Sequence, residues 1–85
     1  MPNKNIEEKY NLILIKIGLN ITSYRKLKNI TQEQLAKKIG ASTATIANIE
    51  ETKGLYSMEL NTLFDIADAL EISVDKLFCG EGEDD

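Results

Sequence analysis

The sequence predicts an all-α domain of five helices. Three observations carry this. Apolar residues recur at three- and four-residue spacing along most of the chain, three helix-start signals and one helix-stop glycine divide it, and no segment reads as a strand. The chain has 85 residues, 42% of them hydrophobic and 28% charged. That is the balance of a single ordinary globular domain, here placed at residues 1–79.

The first helix is predicted over about residues 5–28, because Ile6, Tyr10, Ile13, Ile17, Ile21, Tyr24 and Leu27 share one stripe. Gly18 inside it costs up to about 1 kcal/mol against alanine and marks a point where the helix can break. Leu12, Leu14, Ile15 and Leu19 widen the apolar stripe beyond the need of one small core. They either feed a dimer contact, together with apolar residues of the fifth helix, or simply cap the core.

The second helix opens at Thr31-Gln-Glu-Gln, where Thr31 and Gln34 have the spacing of a capping box. Leu35, Ala36 and Ile39 face inward, and Gly40 supplies the left-handed turn that ends a helix. Ser42 caps a third helix with Ile46 and Ile49 on its buried side. So short a turn makes the two helices cross steeply. Residues 51–58 read as a loop around Gly54. The fourth helix spans 59–70 with Leu60, Leu63, Phe64, Ile66, Ala67 and Leu70 inward, and Ser73 begins a fifth through Phe78. The end, Gly80-Glu-Gly-Glu-Asp-Asp, reads as an acidic disordered tail over 80–85.

Composition excludes several functions. There is no histidine, and the one cysteine, Cys79, reads as an apolar filler. The usual general base and most nucleophilic triads are therefore missing, and a zinc site has almost no ligands. No enzyme, cofactor or metal is expected. The longest apolar run, Leu12 to Ile15, is far short of a membrane span, and the acids near the start do not suit a signal peptide, so a cytoplasmic location is expected.

Charge is unevenly distributed. The net charge is −4, yet residues 16–53 carry seven basic against three acidic groups, net +4. Residues 1–15 sum to zero, and residues 54–85 to −8. A basic middle beside an acidic final third suggests one face for an anion and another for a different partner.

Within Gln32–Glu51 five positions have fixed tasks: Gln32 at the start, a small Ala36 where helices approach, Gly40 at the turn, and Ile46 and Ile49 as anchors. This is the helix-turn-helix pattern, in which the second helix can enter the major groove of double-stranded DNA. At these residues the sequence resembles the phage-repressor and Cro type of helix-turn-helix transcriptional regulators. The quoted stretches are IGLNITSYRKLKNITQEQLAKKIGASTATIANIE and TLFDIADALEISVDKLF. The resemblance implies a five-helix lambda-repressor-like domain that binds a pseudo-palindromic operator as a homodimer.

Carried over position by position, the resemblance makes Gln32 and Ser42 phosphate contacts, with Gln32 also bracing the recognition helix. Thr43, Ala44, Ala47 and Asn48 would face base edges, and Thr45 and Lys53 the backbone. Arg25 and Glu50 stand like a structural ion pair between the first and third helices. Asn48 suits adenine, whereas Thr43 and the alanine methyls suit thymine. The sequence departs from the usual pattern in lacking arginine, lysine or glutamine on the recognition helix, in placing Glu51 there, and in a longer following loop. These departures suggest weak or A·T-leaning readout, or readout supplemented by loop residues and the N-terminal region. Lys37 and Lys38 read as a solvated face, and Tyr24 and Tyr56 as core or loop packing. The acidic fourth and fifth helices suit a protein contact, such as RNA polymerase. A competing reading is a protein-interaction module of the same fold, such as an antitoxin holding a toxin-like partner.

Overall fold

Residues 4–51 and 59–79 are described by a computed structural model, without the side chains of residues 4–8 and Tyr10. The expected loop at 51–58 beyond Glu51, with Lys53 and Tyr56, and the tail at 80–85 lie outside the described residues. So do the side chains of Ile6 and Tyr10. Among the described residues there are five helices and no strand: α1 (Lys4–Leu27), α2 (Gln32–Ile39), α3 (Thr43–Glu50), α4 (Leu60–Leu70) and α5 (Asp75–Cys79).

Local chemistry sets the ends of these helices. Thr31 Oγ1 accepts from the Gln34 amide at 3.0 Å, and Gln34 Oε1 accepts from the Thr31 amide at 2.9 Å, so the capping box is formed. Gly40 stands at φ 73°, and the Ala41 amide reaches back to the Ala36 carbonyl at 2.9 Å. That left-handed stop reverses the chain within three residues and leaves α3 crossing α2. Ser42 Oγ accepts from the Thr45 amide at 3.2 Å and starts α3. Asn29 after α1 and Glu71 after α4 also take left-handed conformations, at φ 59° and 60°.

One core joins all five helices. Ile17, Ile21 and Tyr24 of α1 meet Leu35 and Ala36 of α2, Ile46 and Ile49 of α3, Leu63, Ile66, Ala67 and Leu70 of α4, and Leu77 of α5. Asn20 adds a polar tie, donating from Nδ2 to the Leu77 carbonyl at 2.7 Å, which fastens α5 to α1. α1 runs through Gly18 unbroken. The reason for glycine is a neighbour: a Cβ at residue 18 would lie 2.6 Å from the Ile49 carbonyl oxygen and 3.1 Å from that of Glu50.

Several expected core residues lie outside it. Ile13 and Leu27 of the α1 stripe are exposed because the other helices cover only its middle section. Leu60 and Phe64 of α4 are exposed, since α4 buries only the side that carries Leu63, Ile66, Ala67 and Leu70. Phe78 is 40% exposed, and Cys79 is exposed instead of filling an apolar gap, because α5 is too short to bury more than Leu77.

Candidate nucleic-acid interface

The candidate site is α3 and what holds it. Its back is apolar at Ile46 and Ile49, which are 0% and 1% exposed. At its C-terminal end Glu50 is fixed by polar contacts from two other segments. Arg25 Nε and Nη2 donate to the Glu50 carboxylate at 2.7 and 3.0 Å, a bidentate ion pair. The same guanidinium donates from Nη1 to the Ile30 carbonyl at 2.9 Å. Gln32 Nε2 donates to Glu50 Oε1 at 2.9 Å. One arginine thus joins the end of α1, the turn before α2 and the end of α3.

The electrostatics follow from this geometry. Burial alone would push the Glu50 carboxyl up, but hydrogen bonds from Arg25, Gln32 and Thr22 and the Arg25 charge outweigh it and hold its pKa below the usual value. Arg25 is raised, first by its hydrogen bond to Glu50, against its own desolvation. The side chains of the pair are 10% and 3% exposed. Removing either partner would leave a buried charge unmatched.

The front of α3 is free of these tasks. Thr43, Ala44 and Asn48 are exposed, and Thr45 and Ala47 are half-buried. At 100° per residue Ala44, Ala47 and Asn48 lie opposite Ile46 and Ile49, and Glu51 follows on the same side. Thr43 stands toward the edge shared with Glu50. The exposed Ser42 hydroxyl lies 3.0 Å from that of Thr45, so two hydroxyls and the free amides of the first turn gather at one end of the face. Gln32, at the first position of α2, is half-buried with its amide nitrogen on Glu50. Lys26, Lys28, Lys37 and Lys38 are exposed.

The structure brings Gln32, Ser42, Thr43, Ala44, Thr45, Ala47 and Asn48 onto or beside one helix, and pairs Arg25 with Glu50. Reading the residues missed Gly18 and Thr22, which seat this helix from below, and Asn20, which ties α5 to α1. Gly18 was legible only as a helix-weakening residue, and nothing local in the sequence marks Thr22 or Asn20. An apolar α1 stripe interrupted by Gly18, Thr22 and Arg25 at four- and three-residue spacing is the signal that was available.

Two short helices crossing at a glycine turn, the second anchored behind and open in front, define the DNA-binding helix-turn-helix domain. The chain belongs to the helix-turn-helix family, which it matches over residues 21–77. It is similar to the cryptic phage CTXphi transcriptional repressor RstR of Vibrio cholerae, 46% identical over 66 residues, or 78% of this chain and 56% of RstR. The chain thus spans little more than half the length of that relative. It is 38% identical over 63 residues to the control protein C.SmaI of Serratia marcescens, covering 74% of this chain and 73% of C.SmaI. Among solved structures, the restriction-modification controller C.AhdI of Aeromonas hydrophila superposes with a TM-score of 0.73 at 28% identity, over 81% of this chain and 97% of that one. The protein is an all-α transcription regulator of the phage repressor and Cro type. The competing toxin-holding reading draws no support from these relatives, which are named as a repressor and as control proteins. No helix among the described residues is long and apolar enough to cross a membrane.

Proposed function

We propose that the protein is a sequence-specific regulator in the cytoplasm that binds a pseudo-palindromic operator as a dimer, with α3 in the major groove. The observation that carries this is the division of α3: every anchoring group lies on its back or at its end, and Ala44 and Asn48 stand exposed in front, with Thr43 exposed at its edge. In this reading Ser42, Thr45 and the first-turn amides of α3 hold a phosphate, with Gln32 beside them at the start of α2. Lys53 serves the backbone as well. Asn48 pairs with adenine through its amide, and the methyl groups of Thr43, Ala44 and Ala47 pack against thymine methyls. No guanine-reading side chain is present on α3, so an A·T-rich half-site fits best. The acidic surface of α4 and α5 repels phosphate and remains available to a protein such as RNA polymerase.

The test is selection of genomic DNA fragments by the purified protein at two salt concentrations. A common near-palindromic site, with affinity falling steeply as salt rises, is the expected result. Retention without sequence preference would overturn the specific-regulator reading.

A further inference from the structure

α1 carries a second apolar face that the domain does not use. Leu12 and Leu19 are 64% and 60% exposed, and Ile15 between them is half-buried. Their spacing of three and four residues places them on one line, on the opposite side of the helix from Ile17, Ile21 and Tyr24. Such a face, one heptad long and turned outward, has the pattern of a helix-pairing seam. It also lies beyond the common domain. The family match begins at residue 21, whereas α1 begins at Lys4. The DNA-reading helix gives no reason for these leucines, because α1 meets α3 at Gly18 and Arg25, on another side.

Charge identifies the occupant. A two-fold contact sets each surface against itself, so a strongly charged patch opposes its own copy. Residues 59–79 carry Glu59, Asp65, Asp68, Glu71 and Asp75 against Lys76, net −4, and the exposed Leu60, Phe64 and Phe78 belong to this stretch. Residues 16–53 carry +4. Residues 4–20 carry three lysines and two glutamates, so that part of α1 is nearly neutral, and it is the exposed apolar surface best able to meet a second copy. At 1.5 Å per residue α1 is about 36 Å long, enough for an extended helix pair.

The geometry points to a second copy of this chain docked on the outward face of α1, with Leu12, Ile15 and Leu19 at the centre of an α1–α1 contact. This rests on the dimeric reading proposed above and assigns its interface. The contact joins two protomers through a segment outside the DNA-binding core, so α4 and α5 stay uncovered.

Sedimentation equilibrium of the full chain tests it, with the wild type beside the Leu12→Glu/Leu19→Glu and Phe64→Glu variants. Melting followed by circular dichroism checks folding, and the milder Leu12→Ala/Leu19→Ala variant serves if the glutamates unfold the protein. The expected result is a dimeric wild type and dimeric Phe64→Glu. The α1 variants are expected to be folded, with the dimer dissociation constant raised at least tenfold. A dimeric wild type whose α1 variants dimerise equally well would overturn the α1 contact and leave the dimeric regulator standing. A wild type that stays monomeric at 100 times the protein concentration needed for operator binding would overturn both.

Discussion

Gly18 of α1 and Ile49 of α3 touch backbone to backbone, so closely that any side chain on residue 18 would meet the Ile49 carbonyl oxygen at 2.6 Å. Two effects compete in Gly18→Ala. Alanine gains about 1 kcal/mol of helix propensity, and overpacking a tight contact costs about 1–3 kcal/mol. The obstructing atoms are backbone, which cannot swing aside, so the cost wins. A net loss of up to about 2 kcal/mol is expected, lowering the melting temperature by roughly 4–8 °C per kcal/mol. DNA affinity should fall as well, since relief of the clash displaces α3. A variant as stable as wild type would show that the two helices separate readily.

Glu50→Ala leaves the Arg25 guanidinium buried without its carboxylate, and should cost about 3 kcal/mol or more at neutral pH. The pH dependence has a definite sign. The folded-state pKa of Glu50 is depressed, so its contribution is fully present above the unfolded value of about 4.3 and is lost as pH falls through the folded value. Urea unfolding at pH 7 and below pH 4 should therefore show a wide gap between wild type and variant that narrows in acid. A gap independent of pH would contradict the ionised pair.

Asn48→Ala should leave stability within about 0.5 kcal/mol, because the residue is exposed on the front of α3. It should cost about 1–3 kcal/mol of operator binding and relax the preference at one base pair. Competition binding with operators altered one position at a time measures this.

Glu51→Lys reverses a charge on the same side. Affinity should rise for all DNA sequences alike, and the slope of log affinity against log salt should steepen by about 1. A gain confined to one sequence would place Glu51 against a base instead.

Glu71 closes α4 at φ 60°, a conformation costing a side-chain-bearing residue about 1–2 kcal/mol. Glu71→Gly should stabilise the fold by about 0.5–1 kcal/mol after the greater freedom of glycine in the unfolded chain is set against it. Thermal melting of the two proteins decides it.

The sequence made the helix ends legible because each has a local chemical cause: Thr31 with Gln34, Gly40, and Ser42 all act on backbone amides or carbonyls within four residues of themselves. The ion pair of Arg25 and Glu50 was legible through resemblance, being 25 residues apart in the chain. Burial at Leu60 and Phe64 was misread, since a helical period shows which side is apolar but not how far a neighbour extends over it. Gly18 was misread for a related reason: a glycine that weakens a helix and a glycine that admits another backbone look alike until the second backbone is placed. Asn20 belongs with it, as its partner is the carbonyl of a residue 57 positions away.

Arg25 holds α3 from behind, by way of Glu50, and the front of that helix supports no other part of the fold. The residues proposed to choose a target are, in that reading, exempt from the constraints of folding. A descendant of this protein could exchange Thr43, Ala44 or Asn48 and acquire a new target in one or two substitutions without passing through an unfolded ancestor. Specificity in such a scaffold evolves at the pace of single surface changes, and duplicated copies can diverge to separate targets while sharing one unaltered interior.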